Sequence, residues 1–120
     1  MNYTIGDKEL EFNVKLGTTV KIKKAFNKQF NQVLKDLAKL DIDELIKLLY
    51  CGISEDKMTK EEFTTLCYDN LGMMELYELV QMFIKKIQYP GLTFEEIDKK
   101  LEEKNKQAQA MGIDTTSLND

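Results

Sequence analysis

The side chains here that could do chemistry are few. They are two thiols, Cys51 and Cys67, and four carboxylate clusters, Asp41/Asp43/Glu44, Glu55/Asp56, Glu61/Glu62 and Glu95/Glu96/Asp98. A cysteine nucleophile needs a base to form its thiolate, and the chain has no histidine, so a cysteine–histidine pair is impossible within one chain. Both cysteines fall in apolar-periodic segments, where a small buried thiol is common, and one possible bridge does not make a disulfide scaffold. They read as reduced, structural residues. The acid clusters mostly stand at helix starts, where carboxylates meet unpaired amide hydrogens and the positive end of the dipole. The run ISEDKMTKEEF lacks the alternating oxygen ligands and central glycine of a calcium loop. The six glycines are spread singly between elements, so none forms a phosphate-cradling loop. All seventeen basic residues are lysine; without arginine there is no bidentate fork for guanine edges, carboxylates or phosphates. The reading is therefore of no enzyme: no catalytic residue, no metal and no cofactor.

What remains is contact chemistry. Met73, Met74 and Tyr77 lie together in LGMMELYELVQMFIKKI, residues 71 to 87, and the adjacent methionines are about 100° apart on a helix, which lets one face inward and the other a partner. Leu10 and Phe12 alternate with Glu11 and Asn13 on a short strand that could be offered to another chain. These five residues are the candidate partner-binding set.

The elements that must position them follow from periodicity. Residues 2 to 14 read as two short strands around Gly6-Asp7-Lys8. Gly17 ends that region, and Thr18 or Thr19 is expected to cap a helix carrying Ile22, Phe26, Phe30, Val33, Leu34 and Leu37 as far as Leu40, either as one helix or as two with a bend near Asn27 to Asn31. Its outer face, Lys21, Lys23, Lys24, Lys28 and Lys35, is basic. Asp41 with Glu44, Thr59 with Glu62 and Thr93 with Glu96 are capping-box spacings that open three more helices. Gly52 is a plausible left-handed stop, and Tyr89-Pro90-Gly91 is the clearest breaker. In the helix over 71 to 87 the apolar stripe is Met73, Leu76, Tyr77, Val80, Phe83, Ile84 and Ile87, with Leu79 and Met82 widening the arc, so more than one element should cover it. The expected fold is all-α: one small helical domain over 1–112, a bundle of about five helices with an N-terminal β-hairpin, a projecting C-terminal helix over 94–111 and a disordered tail over 113–120.

Hydrophobic content of 42% and charged content of 32% are globular values. No apolar run approaches the roughly 20 residues of a membrane span, and the N-terminus has no signal-peptide shape, so the expectation is a cytosolic protein without a membrane partner.

The order of segments YTIGDKELEFNVKLG, KIKKAFNKQF, LDIDELIKLLYCGI, MTKEEFTTLCYDN and LTFEEIDKKLEE resembles the tail assembly chaperones of long-tailed, siphovirus-type phages and prophages of low-GC Gram-positive bacteria, across about residues 1 to 105. The resemblance implies a non-catalytic helical protein of the host cytoplasm, made during virion morphogenesis and absent from the mature virion. It implies that such a protein coats and solubilises the tape measure protein, recruits tail tube protein around it and self-associates in oligomers or spirals. It also implies that a second, C-terminally extended form can arise by frameshifting. The rival is a small helical DNA-binding or regulatory phage protein using the basic helix 19–40, although a lysine face without interleaved aromatics or a helix-turn-helix signature points away from nucleic acid.

Charge is unevenly distributed. Residues 1 to 40 carry eight lysines against four acids, a balance of +4, and residues 41 to 120 carry nine against seventeen, a balance of −8, which together make the net −4. Packing the two halves on each other is the plain consequence. If opposite-signed faces instead steer copies together, the mass measured by light scattering falls toward the monomer as salt shortens the Debye length from about 30 Å at 10 mM to about 8 Å at physiological strength. A mass indifferent to salt removes that reading.

Overall fold

The computed structural model describes residues 1–110. It opens with an antiparallel pair, β1 (Asn2–Ile5) and β2 (Lys8–Glu11), in the register Asn2 opposite Glu11 and Ile5 opposite Lys8. Gly6 and Asp7 form the two-residue turn; Gly6 has φ +64, and a Cβ there would stand 2.6 Å from Asn70 Oδ1. The helices α1 (Leu16–Phe26) and α2 (Phe30–Lys35), a 3-10 turn (Leu37–Lys39), α3 (Ile42–Tyr50), α4 (Lys60–Asn70), α5 (Met73–Gln88) and α6 (Phe94–Ala110) follow. The described chain is thus mostly helical with an N-terminal hairpin, as the patterning predicts, and has six α-helices where about five are expected. None of them is long and apolar enough to cross a membrane.

Contacts divide the chain at the breaker, into a unit over Met1–Pro90 and another beginning at Gly91, where the sequence reads as one domain over 1–112. In the second unit Thr93 and Glu96 form a capping box at the start of α6: Glu96 N–H donates to Thr93 Oγ1 at 3.2 Å, and Thr93 N–H to Glu96 Oε1 at 3.1 Å. The tail expected over 113–120 lies outside the described residues.

In the first unit the hairpin and α1 to α5 enclose one apolar core. Its centre is aromatic: Phe12, Phe63 and Phe83 are all essentially inaccessible, and the Phe12 ring meets the other two edge-on at centroid distances of 6.1 and 5.8 Å. The other two sequence-predicted capping boxes form, Glu44 N–H donating to Asp41 Oδ1 at 2.8 Å and Glu62 N–H to Thr59 Oγ1 at 3.2 Å.

Several expectations are corrected. The first helix starts at Leu16, with Gly17 in its first turn and Lys15 in the N-cap position; neither threonine caps it. Both lie inside the first turn, past the cap position, and their hydroxyls donate to carbonyls, Thr18 to Asn13 O and Thr19 to Leu16 O. Of the two alternatives for 19–40, the structure has the two helices with a bend at Asn27, followed by a 3-10 turn; Asn27 takes a left-handed conformation, φ 53, that asparagine tolerates better than most residues. Gly52 has no positive φ and is no left-handed stop. Space requires glycine there: a Cβ would lie 2.7 Å from the Phe83 ring and 3.2 Å from that of Phe12. Phe12, a candidate partner residue on the strand pattern, lies beyond the end of β2 and is 1% exposed, so it is core.

The buried side of α5 is Leu76, Leu79, Val80, Phe83, Ile84 and Ile87. The expected stripe is therefore rotated: Leu79 is fully inside, while Met73 and Tyr77 are outside. Burial begins at Leu76, and both α1 and α3 pack against the helix. Each fully buried side chain of this kind contributes about 1.5–3 kcal/mol. Val80→Asp places a charge among them and is expected to lower unfolding free energy by several kcal/mol, whereas exposed Glu78→Ala should shift it by about 0.5 kcal/mol or less in urea titrations. Equal effects would show the faces of α5 to be misassigned.

Candidate partner-binding surface

Among the described residues the corner between α4 and α5 gathers four of the six exposed large apolar side chains, the other two being Leu16 and Val20 of α1. α4 ends at Asn70, Leu71 is extended, and Gly72 is the N-cap of α5, its N–H held by Glu75 Oε1 at 2.9 Å. Glycine has no side chain to complete that box. The turn throws Met73 and Met74 into the first turn of α5 with exposures of 57% and 68%; Tyr77 follows at 41%, and Tyr68 of α4 stands at 54%. Methionine and tyrosine so exposed bring large, adaptable contact area at the cost of apolar surface in water.

Behind them lies a groove of about 220 Å³ between α3 and the corner, walled by Ile42, Ile46, Leu71, Met73 and Leu76 with Cys67 and Tyr68 also lining it. The Tyr68 hydroxyl donates to the Asp43 carboxylate, tying α4 to α3 at the rim. That bond, followed by slight burial and the fields of Asp43 and Asp41, raises the phenol above its ordinary range, so it stays a protonated donor. A groove of this size and lining accepts one or two apolar side chains from a helix laid along it.

Of the sequence-predicted partner set, Met73 lines the groove and Met74 and Tyr77 project on the same helix beside it. Both methionines face out, where the spacing suggested one in and one out. Leu10 and Phe12 are not part of this surface: Leu10 is half-buried and lines a different groove with Lys8, Ile53 and Met58, and Phe12 is interior. Sequence reasoning missed Tyr68, Ile42 and Ile46. For Tyr68 a signal existed, since it sits one residue beyond the inward Phe63, Leu66, Cys67 spacing and puts an aromatic ring on the polar side of α4.

Both thiols are free and buried. Burial pushes Cys67 up to about 12 and Cys51 up to about 11, the latter in spite of Lys21 and Lys47, which pull the other way. Neither is poised as a nucleophile. Among the described residues no three acidic or thiol side chains converge as metal ligands would. No protein-family model, curated protein or solved structure matches this chain.

The thiols carry a pH signature. They titrate near 9 when unfolded and at about 11 and 12 when folded. Their contribution to stability is complete below about pH 9 and is lost as pH rises through 11 to 12, because only the unfolded chain releases the protons early. At pH 8 a chromogenic disulfide reagent should label the native protein at least about a hundredfold more slowly than the urea-unfolded chain. Comparable rates would place the thiols at the surface.

Proposed function

We propose that this chain is a non-catalytic phage tail assembly chaperone: it binds the helical tape measure protein through the α4–α5 corner, keeps it soluble in the host cytoplasm and recruits tail tube protein around it. The observation that carries the reading is the exposed Met73, Met74, Tyr68 and Tyr77 set beside an apolar groove. A holdase for a long amphipathic partner needs a surface that accepts many similar apolar residues in several registers; unbranched methionine side chains repack for each register with little penalty. Such a role needs no histidine, metal or nucleotide. The order of segments that resembles the chaperone family supports the same reading.

Co-expression with a long, coiled-coil-like tape measure protein tests it. The expected result is a soluble complex eluting as one species, with Met73→Glu/Met74→Glu lowering the recovered complex at least about tenfold while the thermal midpoint stays within about 2 °C of wild type, because both side chains are exposed. A tape measure protein that remains insoluble beside the wild-type chain overturns the role. A methionine variant that assembles normally overturns the assignment of this corner.

A further inference from the structure

A second concave surface lies among α1, α3 and the start of α4, and it is basic. Lys21 and Lys24 of α1, Lys47 of α3 and Lys60 of α4 line a groove of about 540 Å³ whose wall also includes Ala25 and Tyr50, with the buried Ile53 and Cys51 beneath. Glu55 is its single acidic lining residue. None of the four lysines takes part in an ion pair among the described residues; Lys47 Nζ instead lies 4.3 Å from the centroid of the Phe26 ring. The charges of Lys21, Lys47 and Lys60, on three separate helices, all pull the Cys51 thiol downward against its burial.

Part of this has an ordinary cause. Lys24 and Lys47 lie in the last turns of α1 and α3, where cations offset the negative end of the helix dipole. Lys60 does not fit that account. It is the first residue of α4, at the positive end, where a cation is unfavourable. Gathering it with three like charges costs electrostatic energy in the empty protein, and a bound anion would recover it.

We propose that this groove binds a carboxylate-rich, partly apolar peptide segment of a partner protein. A compact phosphate is best held by convergent backbone amides, and at the α4 start the capping box already takes up two of them: Glu62 N–H donates to Thr59 Oγ1, and Thr59 N–H to Glu62 Oε1. The flanking ends of α1 and α3 present carbonyls, which repel a dense anion. Four ammonium groups on three helices suit charges spread along a chain, each forming its own pair, while Ala25 and Tyr50 on the groove wall offer apolar surface to an intervening side chain. This inference stands apart from the α4–α5 corner and does not depend on the chaperone reading.

The test is fluorescence anisotropy at about 50 mM salt, where screening is weak, with a fluorescein-labelled peptide repeating Glu-Ala-Glu-Leu three times and its glutamine counterpart as control. The full chain should bind the acidic peptide and not the neutral one. Lys21→Gln/Lys47→Gln and Lys24→Gln/Lys60→Gln should each weaken binding at least about tenfold, and Lys23→Gln/Lys35→Gln, which removes equal charge outside the groove, less than about twofold. Circular dichroism identifies any variant that misfolds, and the other pair then decides. No binding by the wild-type chain, equal losses in all three pairs, or displacement by pyrophosphate at lower concentration than by unlabelled peptide would each overturn the proposal. So would loss of self-association in the groove variants without loss of peptide binding, which would make a second copy the occupant.

Discussion

The packing of Phe12 between Phe63 and Phe83 is the contact on which the rest of the first unit depends. The three rings come from the hairpin exit, α4 and α5, elements with no chain continuity, and the edge-on geometry brings the positive ring edge of one to the negative face of the next. The contact also sets how close the backbone must come. Gly52 passes against both Phe83 and Phe12, and its carbonyl accepts from Asn13 N–H at 2.7 Å, so the residue after Phe12 is fastened to the end of α3. Tyr50 closes the same region from the other side: its hydroxyl donates to Met58 O at 2.7 Å, holding the loop between α3 and α4 across its own span.

Around that centre, polar interactions mark ends rather than supply adhesion. Three reciprocal capping boxes and the half-box at Gly72 use carboxylates that by their clustering alone would suggest sites of chemistry. Lys28 and Asp36 form an exposed ion pair at 3.3 Å, of a kind that contributes little. Among the described residues no buried side-chain polar atom lacks a partner. The lysines are thereby left to shape the outer field, and the groove beside the α4–α5 corner differs accordingly from that among α1, α3 and α4: the first is apolar beside Asp43, the second lined by four lysines.

Much of this architecture was legible because it is local. A capping box is a four-residue pattern, and each of the three expected ones forms where its residues stand. The Gly6-Asp7 turn and the Pro90-Gly91 break are equally short-range. Illegible features depended on partners distant in the chain. Whether Leu79 or Tyr77 would face inward on α5 was decided by the surfaces of α1 and α3. The fate of Phe12 was decided by rings that lie 51 and 71 positions away. Gly52 looked like a conformational stop, and only the nearness of Phe83 shows that space is the reason. At the candidate site the two methionines and Tyr77 could be picked out from one helix, whereas Ile42 and Ile46 belong to an amphipathic pattern that any buried helix would share. The groove they wall exists only once α3 meets the corner.

The span between Phe12 and Phe83 has a bearing on how the chain is born. Synthesis runs from the N-terminus at about 5–20 residues per second, so roughly 4 to 14 seconds separate the appearance of the first ring from that of the last. Throughout that interval the nascent hairpin has no completed pocket, and its phenylalanine is open to whatever greasy surface lies near the ribosome. A polypeptide that is itself a candidate guardian of others therefore passes through a brief period of needing protection.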